Sequence, residues 1–379
     1  MKVLFVAPVG DYDVKDGGYG NASTGIFHVL TKMHDDGMIK DLAVLSTLDL
    51  NKGREISIPK ERYDVAIMVT HPASFSDDGT RNILTQILMC ADRRYLSVVW
   101  ETKPLPLSWE KLWTGELFTG FLAPSYFIGD QLKKVTKKPI YYYPHFINTQ
   151  LFTSLDIQNK VVNEKVFNVL CMGQYTERKN INDTIIAFIR ALGDKKDANL
   201  ILKYHLMSNK ELHIEKLIKF LAGCNIHKFT AGVHTLNAKL PVEEIVKLYQ
   251  EASALLFISR GEGFGLPSGE AMSVGIPVIY SNWSALPEVS EAEGNYPITC
   301  MEDSAVGMAH YGYEPDSTYG VPNIKETEIA LKTLYKEWKK NKKAYYKKVK
   351  DNRELIKDKF GLQAIKGHLK NILDEGETI

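Results

Sequence analysis

Cysteine is scarce in this sequence: four residues (Cys90, Cys171, Cys224, Cys300) in 379. They lie far apart with no Cys-x-x-Cys pair, which speaks against a disulfide framework or zinc site and for a reducing cytoplasm. Neither charge is in excess, because 47 lysines and arginines face 46 aspartates and glutamates, a formal net charge of +1. That balance excludes a general polycation acting on nucleic acid and leaves only local patches. Long apolar runs are missing as well. None reaches the roughly 18 residues needed to span a bilayer. The run after Lys2 covers only residues 3–9 before a glycine-rich acidic loop, and it reads as a buried strand rather than a secretory leader. No repeat of solenoid period occurs. The Gly-x-Gly-x-x-Gly fingerprint is absent, which disfavours a dehydrogenase.

What is present is ample apolar material, 44% of residues, with 25% charged and 10% aromatic. A disordered chain is thereby excluded, and the length suits two domains. Short β-branched runs at 3–7, 42–45, 65–69, 96–100, 121–123 and 140–143 read as buried strands, with amphipathic stretches such as 25–33 and 127–135 between them. A second series of strands follows at 166–171, 200–204, 254–258 and 277–280, separated by helix-like 181–192, 210–221 and 242–249. Apolar strands alternating with helices indicate parallel sheets covered on both faces. The expected class is α/β, with two Rossmann-like doubly wound domains and ligand sites at the carboxyl ends of their strands. The polar stretch 151–165 marks the boundary, giving domains over 1–155 and 156–325 and a helical tail over 326–379.

The densest chemical signal is the block from Gly261 to Met272, Gly-Glu-Gly-Phe-Gly-Leu-Pro-Ser-Gly-Glu-Ala-Met. It holds Glu262 and Glu270 on either side of a glycine-rich turn that follows a strand and opens a helix. Gly263, Phe264, Gly265 and Leu266 form that turn, where backbone approaches a ligand closely and helix N–H groups meet an anion. Such a pair suits a sugar nucleotide, one carboxylate taking ribose hydroxyls and the other facing the sugar. The plainer alternative is a surface turn with a helix-start glutamate. A second element, Gly173 to Asn180, puts Arg178 and Lys179 after a strand and before a helix, where two cations can neutralise a diphosphate or form a solvated surface pair. A third is the glycine loop with Gly17, Gly18 and Tyr19 after the first strand, a nest for phosphate or simply a flexible turn. Asp11-Tyr12-Asp13 in that loop is a chance Asp-x-Asp, since no acidic strand end supports a metal.

The Glu262–Glu270 block resembles the signature of retaining glycosyltransferases of family 4 (glycosyl transferases group 1), which have the GT-B fold. The resemblance runs over most of the chain. Ser281 to Val289, with its Leu-Pro-Glu, is similar to the next family segment. The stretch from Pro144 to Phe152 is similar to the one closing the first domain, with Phe146 where glycine and Asn148 where aspartate are usual. Trp100-Glu101-Thr102 looks like a Trp-Glu-Thr subgroup, and Gln174 stands where the family has its first arginine.

The resemblance implies two domains facing a cleft, the tail packing back on the first. It implies that a nucleotide-sugar, UDP- or GDP-hexose, is co-substrate without a cofactor or metal. Arg178, Lys179, Glu262 and Glu101 would be catalytic. Gly17, Gly18, Gly263, Phe264, Gly265, Leu266 and Glu270 would bind the donor, and Tyr19 would line the acceptor side. His71, at a strand end beside Pro72, is another acceptor-side candidate or simply a capping residue. The alternatives are a glycosyltransferase acting on a modified DNA base and a degenerate GT-B scaffold that binds without turnover. Residues 332–350 carry nine lysines against one glutamate, with Tyr335, Trp338, Tyr345 and Tyr346 interspersed. That pattern reads as a helix packed by its aromatic face, or as a contact with an anionic surface. The expected place is the cytoplasm, with peripheral contact at the inner membrane face through the tail.

Overall fold

The structure, a computed structural model, describes residues 1–9, 18–48, 56–153, 156, 159–161, 164–205, 214, 216–220, 229–311 and 313–379. Gly17, the Asp11-Tyr12-Asp13 triplet, Cys224 and half of the expected helix 210–221 lie outside these residues. So does the side chain of Tyr19. Two compact units are present, one of Met1–Ile147 with Asp358–Ile379 and one of Asn148–Lys357. The chain thus crosses between units at 147/148, ahead of the expected 155/156.

The first unit is built on β1 (Lys2–Ala7), β2 (Asp41–Ser46), β3 (Tyr63–Val69), β4 (Ala91–Ser97), β5 (Gly120–Ala123) and β6 (Ile140–Tyr142). They form one parallel sheet in the order β2-β1-β3-β4-β5-β6. Val3, Phe5, Val65 and Ile67 form a core with Ile26, Val29 and Leu30 of the helix Gly18–Asp35. Ile365, Leu369 and Ile372 of the helix Leu362–Leu373 join the same core. Ser125 caps the helix Tyr126–Val135 by accepting from the Ile128 N–H at 3.4 Å, as a serine before a helix should.

One strand differs from expectation. β4 starts at Ala91 and ends at Ser97, whereas the apolar run suggested 96–100. Its first half holds Arg93 and Arg94, which mask a strand in a hydropathy reading. Arg94 is accommodated because its guanidinium donates to the carbonyls of Leu117, Ala91, Asp92 and Glu116. Trp100 leaves the sheet and packs edge-on to Trp109, with ring centres 4.7 Å apart.

The second unit has β7 (Phe167–Gln174), β8 (Ala198–His205), β9 (Gly232–Asn237), β10 (Ala254–Phe257), β11 (Val278–Ser281) and β12 (Tyr296–Ile298). These too form a parallel sheet, in the order β12-β11-β10-β7-β8-β9. β9 and β12 are its edges. They lack continuous apolar runs because an edge strand is half exposed, and sequence periodicity passes over them. An antiparallel pair, β13 (Cys300–Ser304) with β14 (Thr318–Pro322), follows.

The C-terminal helices divide between the units. The helices Ile324–Lys340 and Lys342–Lys348 belong to the second unit, and only residues from Asp358 onward return to the first, whereas the whole tail was expected there. The aromatic face explains this. Trp338 and Tyr346 donate to the Glu164 carboxylate at 2.6 and 2.8 Å, Tyr335 donates to Asp197 at 2.7 Å, and Phe167 packs against the Trp338 ring.

Candidate functional site

The sheet order of the second unit decides where a site can form. β7 lies in the middle, with β8 and β9 on one side and β10, β11 and β12 on the other. Strand succession therefore reverses between β7 and β10. Connections leave on opposite faces at such a point, and a crevice opens outside the carboxyl ends of the strands. The loops there begin after Gln174 and after Phe257. They carry Arg178 and Lys179 on one side and Glu262 on the other.

The three side chains meet. Lys179 Nζ lies 2.5 Å from Glu262 Oε1, and Arg178 Nη1 lies 3.3 Å from the same oxygen while donating to the Gly261 carbonyl at 2.8 Å. Their side chains are only 14%, 13% and 9% exposed for Lys179, Arg178 and Glu262. Burial alone raises the pKa of Glu262. The charges of Lys179 and Arg178, with hydrogen bonds from Lys179 and Ser259, outweigh it and hold the carboxyl below its ordinary value. Two cations on one anion leave a net positive centre in a poorly hydrated crevice, where charge acts more strongly than in water. Lys179 also lies over the Phe257 ring at 5.4 Å. A Cβ at Gly173 would meet the Lys179 Cγ and Cδ at 3.3 Å, so the glycine gives the lysine stem its path.

Backbone and buried side chains hold the two loops together. Arg260 N–H donates to the Arg178 carbonyl at 2.7 Å, and Asn180, in left-handed backbone at φ 56°, donates its amide to the Ile258 carbonyl at 3.2 Å. Glu262 N–H donates to Ser284 Oγ at 2.9 Å. Arg260 also donates to Glu177 and to the Tyr319 hydroxyl at 3.0 and 2.9 Å, and Tyr319 donates to Glu177 at 3.0 Å. Sequence reasoning missed Arg260, Ser284 and Tyr319, because each is tied to the site only through the fold. Arg260 stands directly before the glycine block and Ser284 lies within the segment 281–289, yet neither residue type marks a site by itself.

The helix Leu266–Val274 begins at Gly265, whose φ of 102° favours glycine. A Cβ there would come within 2.6 Å of Leu286 Cδ2. Gly263, Phe264 and Gly265 are buried, and Leu266 begins the helix half-buried, so its amino end is presented by a tightly packed turn. Glu270 sits one turn inside and is half-buried. Its Oε2 accepts from the Tyr249 hydroxyl at 2.7 Å, a partner the sequence did not reveal. The two carboxylates of the block therefore live differently, Glu262 on cations and Glu270 on a phenol.

In the first unit, His71 and Glu101 follow the carboxyl ends of the adjacent strands β3 and β4. Glu101 lies four residues beyond Ser97 rather than at the strand's end, because β4 stops early. His71 Nδ1 accepts from the Ala73 N–H at 3.2 Å and caps a short turn, and its ring lies edge-on to Trp109 and Trp100 at 5.3 and 5.9 Å. Burial lowers its pKa, with the nearby Glu101 charge acting the other way. Gly18 opens the helix Gly18–Asp35. No cluster of three or more metal-ligating side chains occurs among the described residues, and no helix among them is long and apolar enough to cross a membrane.

Residues 166–310 match the family described as Glycosyl transferases group 1. The chain is 50% identical over 50 residues to O-antigen chain mannosyltransferase B of Escherichia coli, 13% of each chain. It is 24% identical over 171 residues to the serotype-specific mannosyltransferase WbdA of Escherichia coli, 45% of this chain and 18% of that one. The chain thus spans only a small part of the length of these curated relatives. Among solved structures, HepE of Anabaena in complex with UDP and glucose superposes with a TM-score of 0.61 at 13% identity, over 99% of this chain and 100% of that one. Two parallel six-stranded sheets with a C-terminal helical stretch give the chain the GT-B fold, and its second unit carries a Glycosyl transferases group 1 domain.

Proposed function

We propose that the protein is a retaining glycosyltransferase that moves a hexose from a UDP- or GDP-sugar to an acceptor hydroxyl. The observation that carries this reading is the Arg178–Lys179–Glu262 cluster at the switch point of the second sheet. Its net positive charge suits a departing nucleoside diphosphate. As the bond from the anomeric carbon to phosphate breaks, the electron pair stays with the diphosphate, opposite Arg178 and Lys179. The amino end of the helix Leu266–Val274 adds partial positive charge on the same side. Glu262 orients both cations and faces the sugar hydroxyls, while Glu270 receives the ribose.

The acceptor oxygen attacks the face the diphosphate leaves, and its proton passes to a phosphate oxygen. This path retains configuration and needs neither a protein nucleophile nor a metal. Support comes from two relatives named as mannosyltransferases and from a structural neighbour solved with UDP and glucose. Glu101 and His71 serve the acceptor side in this reading.

A panel of UDP- and GDP-sugars tests it. At least one should raise the melting temperature and release nucleoside diphosphate during transfer. Binding without sugar release or transfer would favour a non-catalytic scaffold, and salt-dependent affinity for duplex DNA would favour a modified base as acceptor.

A further inference from the structure

We propose that Tyr249 is a positioning residue that makes the site select ribose over deoxyribose, by fixing the Glu270 carboxylate. This rests on the reading above that Glu270 receives the donor's ribose. Glutamate has three side-chain torsions, and a carboxylate that is to meet two adjacent hydroxyls must present its plane in one orientation. The Tyr249 hydroxyl, 2.7 Å from Glu270 Oε2, sets that plane from the protein side.

Tyr249 is itself packed in place. It is fully buried, and its ring meets Phe152 edge-on at 5.8 Å. It lies near the end of the helix Val242–Glu251, where the Lys160 ammonium donates to the carbonyls of Gln250 and Ala252 at 2.5 and 2.7 Å. A cation at a helix carboxyl end is favourable and anchors the turn that holds the phenol. Burial, then the charge of Glu270, raises the pKa of Tyr249 far above its ordinary value. The phenol therefore stays protonated and donates at every working pH. Glu270 and Tyr249 lie on different helices, so no sequence spacing announces the pair.

The test is calorimetric binding of UDP, GDP and their 2′-deoxy forms to the full chain, the Tyr249→Phe variant, and Glu270→Ala. Phenylalanine keeps the ring packing and removes only the hydroxyl. The parent should bind the ribose form of one nucleotide at least about tenfold more tightly than its deoxy form. Tyr249→Phe should weaken ribose binding roughly five- to tenfold and leave deoxy binding within twofold, narrowing the preference. In Glu270→Ala, adding Tyr249→Phe should change nothing further. Equal weakening of both forms would assign Tyr249 a merely structural role and overturn the inference, as would an unchanged preference. A parent chain that binds none of the four overturns the donor reading itself, and the inference with it.

Discussion

The two units place functional candidates at the same topological location, the loops beyond parallel strand ends, yet furnish it differently. The second unit buries charge, with Lys179 and Arg178 on one oxygen of Glu262. The first surrounds one neutral histidine with indoles, and its carboxylate Glu101 is half-buried beside them. Buried ions must be matched to one another and to what binds them, whereas aromatic walls tolerate many shapes. On the proposed function, the second unit takes one kind of anion and the first offers the more adaptable surface. These correspond to the diphosphate of the donor and to the acceptor.

Removing one charge from each unit should give the largest effects. Lys179→Ala should lower the transfer rate on the order of 100- to 1,000-fold, the usual loss for one preorganised charge-stabilising group. Glu101→Ala should act mainly through the acceptor, raising its KM while donor binding stays within twofold. Steady-state kinetics with both substrates varied distinguishes them. Equal effects on donor and acceptor would dissolve the division.

Stability provides the next test. Glu262→Ala leaves two nearly buried cations uncompensated and should lower unfolding free energy by about 3 kcal/mol. Removing the more exposed Glu101 should cost well under that. Urea denaturation of the two variants reads the difference, and comparable midpoints would show that Glu262 is better hydrated than its 9% exposure indicates.

The smallest effect is on acid tolerance. His28, His71, His145 and His368, all in the first unit, have pKa values lowered by burial, His145 to about 4. Unfolded histidines bind protons first, so the first unit loses stability as pH falls below 6.5. Glu262 has a depressed pKa, so its contribution is complete above 4.5 and is lost only below that. Between these values, amide hydrogen exchange should quicken in β3 and β4 before β7 and β10. Uniform loss of protection would mean that the units unfold as one.

Much of the site could be read from residue types alone. Glu262 stood out through its glycine-rich block, and Arg178 and Lys179 only beside that block, since an Arg-Lys pair alone is usually a solvated surface feature. The helix over 181–192 was legible to its ends through its periodicity. Tyr249 and Ser284 were not legible, since a buried tyrosine and a loop serine look alike at any core or turn. The lysine-rich tail misled in its docking: its aromatics were correctly seen as a packing face, but their partners, Glu164 and Asp197, are unremarkable polar residues far away in sequence.

The α/β class, the strand-and-helix alternation and the chemical identity of the charged groups follow from local periodicity and residue type, and so could be read from the sequence. Long-range packing set the rest: one Glu262 oxygen holds both cations, a phenol donates to Glu270, and the tail divides between the units. Those outcomes depend on sheet order. It brings β7 and β10, some eighty residues apart in the chain, side by side, and no local pattern encodes which distant strand becomes a neighbour.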